Sequence, residues 1–131
     1  MASVIKDMEI SVPAEAAWAM LREVGAADKA FPGVLTDCRF DGDVRTVDFA
    51  NGMQAKERII DLDDANRRYA YSVIEGRFSH HHASMQIIDA GEGNSRFLWI
   101  SDFLPGDVAP LVSSLVDQGS AAFKRVLEAG G

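Results

Sequence analysis

A single carboxylate, Glu57, stands out because it lies in a segment whose alternation predicts a β-strand. Successive side chains of a strand point to opposite faces, so Ala55, Glu57 and Ile59 share one face. The other face carries two charges, Lys56 and Arg58, and is the poorer candidate for a core. The pattern therefore favours an inward position for Glu57. A carboxyl without a partner in an apolar cavity is suited to act as a general acid or base.

Two interpretations of Glu57 remain open from the sequence. In the first, which we take as the hypothesis, Glu57 is an unpaired acid that faces a cavity lined by aromatic residues. In the second, Glu57 forms an ion pair with Lys6 or Arg45 and has a structural role.

Three consecutive histidines, His80, His81 and His82, resemble a metal-binding cluster. Neighbouring strand residues face opposite sides, so the three imidazoles cannot converge on one ion. The simpler interpretation is that His81 faces inward while His80 and His82 are solvated. We therefore expect no metal at these histidines. Cys38 has no histidine or acid at a spacing that indicates a nucleophile, and is expected to be a small core residue.

The same parity argument assigns faces along the other predicted strands. The residues that share an inward, mostly apolar face are Val47, Phe49, Tyr69, Tyr71, Val73, His81, Ala83, Met85, Ile87, Phe97, Trp99, Ser101 and Phe103. An apolar wall with a few polar groups is the usual composition of a small-molecule site. The polar groups expected there are Glu57, Tyr71, His81, Ser101 and Lys6.

The elements that must position these residues follow from the hydrophobic periodicity. Residues 3–12 predict a first strand, Pro13 begins a helix that ends near Gly25, and 26–31 form a further short turn of helix. Six more strands are predicted at 34–41, 44–50, 53–62, 67–75, 78–89 and 95–104. A long helix with an apolar stripe from Val108 to Leu127 follows, with Asp107 as its expected cap. This order predicts an antiparallel meander covered by the last helix.

Composition excludes several classes of function. The chain has 131 residues, of which 47% are hydrophobic, and we expect residues 1–131 to form one domain. The net charge of −7 argues against nucleic-acid partners, and no apolar run approaches a membrane span. One cysteine and an N-terminus without a signal-peptide pattern favour a cytoplasmic location. No phosphate-binding glycine motif occurs, and no cofactor is expected.

The segments from Glu57 to Asp64 and from Tyr71 to Gly76, with the closing helix, resemble the helix-grip superfamily across the whole chain. This superfamily, often labelled SRPBCC or START-like, includes lipid-transfer domains, polyketide cyclase/dehydrase-like proteins, the birch-pollen allergen family and abscisic-acid receptors. The resemblance implies an α+β fold. In that fold, a curved seven-stranded antiparallel sheet grips the C-terminal helix, and two short helices follow the first strand.

The resemblance also implies a ligand cavity between the sheet and the last helix. The matching pocket positions are Phe49, Glu57, Tyr71, His81, Trp99, Leu111, Leu115 and Gly119, to which parity adds Ser101. The missing side chain at Gly119 either leaves cavity volume or permits close packing against a strand.

The expected function is binding or carriage of a small hydrophobic or amphipathic molecule of the lipid or polyketide type. The alternative is a cyclase or dehydratase in which Glu57, His81 and Tyr71 move protons. A further alternative is an interaction module with a filled interior. Apolar residues on the outer sheet face permit a homodimer: Ile60, Leu62, Ile74, Ile88, Leu98 and Ile100.

Overall fold

The computed structural model describes residues 2–130 of the chain. The strands are β1 (Ala2–Ile10), β2 (Leu35–Asp41), β3 (Val44–Phe49), β4 (Gln54–Asp63), β5 (Arg68–Val73), β6 (His80–Gly91) and β7 (Asn94–Leu104). The helices are α1 (Ala14–Leu21), α2 (Ala27–Ala30) and α3 (Ala109–Glu128), with 3₁₀ turns at Val24–Ala26 and Gly106–Val108.

The seven strands form one antiparallel sheet in the order β1-β7-β6-β5-β4-β3-β2. Strands β2 to β7 follow one another as a meander, and β1 closes the sheet beside β7. The helix-grip fold is thereby confirmed, with α3 across the concave face and two short helices after β1. At the β3–β4 turn, Gly52 follows Asn51 and adopts a φ of +91°, a backbone conformation that glycine accepts without steric cost.

The predicted alternation of faces is present in the strands that matter for the site. Alternate positions of β5, β6 and β7 are buried on the side that faces α3. These residues include Tyr69, Tyr71, His81, Ala83, Met85, Ile87, Phe97, Ser101 and Phe103. A bulge between Ile59 and Asp61 interrupts the alternation in β4, after the inward position of Glu57.

The two halves of α3 meet the sheet differently. In the C-terminal half, Phe123 is fully buried. The centre of its ring lies 4.9 Å from the ring centre of Phe97 and 5.7 Å from that of Phe31. In the N-terminal half, Leu111 and Leu115 face the sheet but stay only half-buried. The core is therefore filled at one end of the helix and open at the other.

Two details of the helices differ from the sequence prediction. Helix α1 ends at Leu21 with Arg22 as its C-cap, so Gly25 does not terminate it. Gly25 instead lies in the 3₁₀ turn, where a Cβ would be 3.2 Å from the Cβ of Phe40. At the other end of the chain, Asp107 does not cap α3, because the 3₁₀ turn precedes the helix and no side-chain cap bond forms.

The outer face of the sheet carries most of the apolar residues that the sequence placed there. Leu62 is an exception, because the bulge in β4 makes it the cross-strand partner of the inward Tyr69. Ile60, Leu62, Ile74 and Ile88 are exposed, and Leu98 and Ile100 are half-buried. The homodimer stays a prediction. No helix within residues 2–130 has the length and apolar character needed to cross a membrane.

Candidate functional site

A cavity of about 290 Å³ separates the N-terminal half of α3 from the middle of the sheet. Most of its wall is aliphatic or aromatic, with Phe31 and Met85 among the contributors. Gln54, Glu75, Gly76 and Arg77 are exposed and also border the cavity, so this side is its mouth. The alternative of a filled interior is therefore wrong.

All nine residues selected from the sequence border this cavity. They are Phe49, Glu57, Tyr71, His81, Trp99, Ser101, Leu111, Leu115 and Gly119. Six of them come from five different strands and three from α3, so only the tertiary fold brings them together. Their contact with a ligand stays a prediction.

Arg45 and Glu57 form a buried ion pair, with 2.8 Å between Nε and Oε1. The two residues are direct cross-strand partners on β3 and β4. Arg45 also donates to the carbonyl oxygen of Val24 at 3.1 Å and to the hydroxyl oxygen of Tyr69 at 3.3 Å. Its guanidinium lies 5.2 Å and 5.1 Å from the ring centres of Tyr69 and Tyr71. We call Arg45, Glu57 and Tyr69 the arginine cluster.

The surroundings of Arg45 favour its charged form. Burial acts against the charge, but Tyr69 and Glu57 outweigh it and hold the pKa of Arg45 above its usual value. The positive and negative charges of the cluster compensate each other inside the wall of the cavity. This end of the site is consequently close to electrically neutral.

The ion pair corrects the hypothesis that Glu57 is an unpaired acid. Its partner is Arg45, one of the two cations that the sequence suggested. Lys6 is not the partner, because its ammonium contacts Asp117 of α3 at 3.3 Å instead. Lys6 also does not border the cavity.

His81 is neutral and held in one tautomer. The backbone N–H of Val73 donates to Nδ1 at 3.0 Å, so Nδ1 carries no proton. We therefore assign the proton to Nε2, which donates to Ser101 Oγ at 3.3 Å. Burial, with smaller contributions from His82 and His80, lowers the pKa of His81 to about 4.

Tyr71 has a different hydrogen-bonding situation from its neighbour Tyr69. The Trp99 indole N–H donates to the Tyr71 oxygen at 3.1 Å. Tyr69 accepts a hydrogen bond from Arg45 and donates one from its own hydroxyl to Met85 Sδ. Within residues 2–130, the Tyr71 hydroxyl hydrogen has no acceptor. Burial raises the pKa of Tyr71 well above its ordinary value, so this proton stays in place.

Gly119 meets the sheet at the edge of the cavity. A Cβ at this position would lie 3.0 Å from Trp99 Cζ3 and 3.6 Å from Phe31 Cδ1. The absence of a side chain therefore admits the indole ring that bonds Tyr71. Close packing against a strand accounts for this glycine.

The remaining reactive residues do not converge with the site. His81 is buried, whereas His80 is exposed and His82 half-buried, as alternation along β6 requires. No group of three or more potential metal ligands occurs within residues 2–130. Cys38 is half-buried, and burial raises the pKa of its thiol, which reduces thiolate reactivity.

Arg45 is the site residue that sequence reasoning missed as part of the wall. The signal was present, because Arg45 shares the inward parity of Val47 and Phe49 on β3. An arginine inside an apolar face is unusual unless it is paired. The inward position predicted for Glu57 on the neighbouring strand supplied that partner.

The whole chain matches one family model. Residues 1–130 fit the family described as polyketide cyclase / dehydrase and lipid transport. The chain belongs to this family. No curated protein matches the sequence at a significant level.

Solved structures that are similar to this chain share its helix-grip architecture. The protein XoxI from Bacillus cereus is 20% identical, with a TM-score of 0.89 over 100% of this chain and 99% of that chain. Norcoclaurine synthase from Thalictrum flavum, in complex with dopamine and hydroxybenzaldehyde, is 16% identical. Its TM-score is 0.79 over 99% of this chain and 88% of that chain.

A third similar structure is the di-domain ARO/CYC BexL from the BE-7585A biosynthetic pathway. It is 17% identical, with a TM-score of 0.80, and the match covers 98% of this chain and 47% of that one. At these identities the likeness concerns the fold.

Proposed function

We propose that this protein binds or carries a small, uncharged, largely apolar molecule in the cavity between the sheet and α3. The observation that carries the proposal is a cavity of about 290 Å³ with a mostly apolar wall inside an otherwise packed domain. This volume lies near the lower end of ordinary ligand sites. It suits a small aromatic or polycyclic molecule better than a two-chain lipid.

The charge of the wall supports an uncharged ligand. Arg45 and Glu57 are the charged residues of the buried wall, and they neutralise each other at 2.8 Å. A charged ligand group would lose its hydration on entry and find no unpaired counter-charge there. A polyketide-type molecule fits this requirement, and so does a single-chain lipid whose charged end stays at the mouth.

The nine residues predicted from the sequence are proposed to contact the ligand. Phe49, Trp99, Leu111 and Leu115 supply apolar contact, and Tyr71, Ser101, His81 and Glu57 supply or support polar contact. Gly119 sets the position of the Trp99 ring. We also propose Arg45 as a wall residue whose role is to neutralise Glu57.

Filling the cavity tests this function directly. The probe is the neutral dye N-phenyl-1-naphthylamine, whose emission rises in apolar surroundings, titrated into the native protein. Leu115→Trp occupies the space opposite the sheet and should weaken dye binding at least about tenfold, the equivalent of ~1.4 kcal/mol. Ser113→Trp is the matched control, because Ser113 is exposed on the same helix. Equal dye affinity in a folded Leu115→Trp variant would contradict the proposal.

Native mass spectrometry of protein purified from its host provides an independent measurement. A co-purifying small molecule that is absent from Leu115→Trp and present in Ser113→Trp would support the cavity as its site. The mass of that molecule would also identify the chemical class of the ligand.

A second candidate function is proton transfer on an enolisable ligand, as the cyclase part of the family description suggests. Arg45 engages Oε1 of Glu57, and Oε2 has no hydrogen-bond partner within residues 2–130. This oxygen is the available base. His81 is not available, because Nδ1 accepts from Val73 and Nε2 carries the proton.

Solvent deuterium exchange into 2-tetralone, followed by NMR, tests the second function. Exchange faster than in buffer, and lost in folded Glu57→Gln, would support Glu57 as a base. Exchange equal to that in buffer would leave binding or carriage as the function.

A further inference from the structure

Two hydroxyl groups of the cavity wall lie in one cross-strand row of the sheet. Tyr71 pairs with Ala83, and Ala83 pairs with Ser101. The two outer residues are therefore two strands apart, roughly 10 Å at the backbone. Ala83 between them has only a methyl side chain, is fully buried and does not itself border the cavity. We call Tyr71, Ala83 and Ser101 the hydroxyl row.

Each hydroxyl oxygen of the row already accepts a hydrogen bond from a neighbouring ring. Trp99 Nε1 donates to Tyr71 at 3.1 Å, and His81 Nε2 donates to Ser101 at 3.3 Å. The direction of both bonds is fixed. An indole N–H can only donate, and the backbone N–H of Val73 occupies the other nitrogen of His81.

The consequence is an imbalance of donors over acceptors. Both hydroxyls are buried, at 5% and 2% exposure, and both border the cavity. Within residues 2–130, neither hydroxyl hydrogen has an acceptor. Buried polar hydrogens are normally bonded, so a partner from outside the protein satisfies them best.

We propose that the hydroxyl row selects ligands that carry an acceptor oxygen, such as a ketone or quinone carbonyl, over hydrocarbons of the same shape. This inference rests on the proposed ligand-binding function. One of the two hydroxyls, of Tyr71 or Ser101, donates to a ligand oxygen, and Trp99 and His81 are positioning residues that orient the two hydroxyls. A hydroxyl oxygen that accepts one bond can still accept a second, so the selection comes from the two hydroxyl hydrogens, which a hydrocarbon leaves without an acceptor.

A pair of probes of nearly equal shape tests the proposal: 9-fluorenone, which has one carbonyl, and fluorene, which has none. Binding of each is measured by quenching of tryptophan emission and by calorimetry. The informative quantity is the ratio of the fluorene Kd to the fluorenone Kd, compared between proteins. In Tyr71→Phe/Ser101→Ala, this ratio should fall about 2- to 10-fold, as expected for one lost hydrogen bond.

The matched control is Ser95→Ala. Ser95 lies on the same strand and the same face as Ser101, is fully buried and does not border the cavity. This variant should keep the wild-type ratio. The single variants Tyr71→Phe and Ser101→Ala then show which hydroxyl meets the carbonyl.

The outcomes distinguish failure of the hydroxyl row from failure of the ligand-binding function. An unchanged ratio in a folded double variant that still binds fluorene would overturn the role of the hydroxyl row and leave ligand binding intact. Failure of wild-type protein to bind either probe would reject the proposed function and this inference with it. Loss of the ratio through a changed fluorene affinity alone would also count against it, because hydrocarbon binding needs no donor.

Discussion

The arginine cluster and the hydroxyl row are neighbouring polar regions of one cavity wall. They differ in how many of their hydrogen-bond donors have an acceptor within the protein. In the cluster, Arg45 engages Glu57, Val24 and Tyr69, and Tyr69 donates on to Met85. In the row, the Tyr71 and Ser101 oxygens accept, but their hydrogens have no acceptor among the described residues 2–130. The cluster therefore contributes to the fold, whereas the row is available to a ligand.

The comparison teaches that burial and chemical type do not by themselves mark a binding residue. Tyr69 and Tyr71 are two residues apart on one strand, and both are buried. Their difference lies in the partners that the neighbouring strands supply. A search for ligand contacts is thus better guided by unused donors that border a cavity than by polarity.

Removing the charge of Glu57 should have the largest effect on stability. Glu57→Gln leaves the Arg45 guanidinium buried without a counter-charge, and should lower the free energy of unfolding by about 2–4 kcal/mol. Asp43→Asn is the control, because the Arg58–Asp43 pair is exposed and its loss should change stability by less than about 1 kcal/mol. Urea unfolding at pH 7 measures both.

Replacing the whole pair sharpens the same test. Arg45→Met/Glu57→Met should recover most of the loss, because no unpaired charge remains. If Glu57→Gln is as stable as the wild type, the cluster does not stabilise the fold. The distinction between a structural cluster and a ligand-binding row would then be wrong.

Acidification should weaken the fold through His81. Its pKa is lowered from 6.5 to about 4, so the unfolded chain binds the proton more tightly between these values. The stability that neutral His81 contributes is present above about pH 6.5 and is lost as the pH falls towards 4. The change amounts to about 1–3 kcal/mol.

His81→Gln should flatten this part of the pH profile, since an amide can accept from Val73 and donate to Ser101 without titrating. His82→Gln is the control on the same strand. Thermal melts between pH 4 and 7 compare the three proteins. A wild-type profile retained in His81→Gln would show that other groups dominate the acid response.

The two tyrosines should respond unequally to loss of their hydroxyls. Tyr69→Phe removes an acceptor of Arg45 and a donor to Met85, and should lower the free energy of unfolding by about 1–2 kcal/mol. Tyr71→Phe removes only the acceptor of Trp99 and should lower it by about 1 kcal/mol or less. Equal losses in urea unfolding would contradict the distinction between the two regions.

The smallest effect on stability is expected for Gly119→Ala. Alanine favours the helix by about 1 kcal/mol relative to glycine, but its Cβ would press on the Trp99 ring. The two contributions to the free energy of unfolding should largely cancel. The displaced indole should weaken the bond to Tyr71 and shift the tryptophan emission. Gln118→Ala, at an exposed position beside it, is the control. An unshifted spectrum would show that Trp99 does not depend on this glycine.

Local patterns in the sequence were enough for the elements and for most of their faces. Strand alternation placed Tyr71, His81 and Ser101 on the inner side, and all three are there. Helix ends were predicted less well, because the end at Leu21 and the 3₁₀ turn before α3 depend on packing rather than on a capping residue.

The sequence by itself determined most of the residues that face inward, because a strand of period two and an apolar face leave one choice. Leu62 is an exception, because the bulge in β4 reverses the alternation there. Only the tertiary structure decided what those residues do. The cross-strand register set Arg45 opposite Glu57 and turned an expected free acid into an ion pair. It also aligned Tyr71 and Ser101 on either side of Ala83. Hydrogen-bond partners come from strands distant in sequence, so their use or availability is a property of the register and cannot be read from one strand alone.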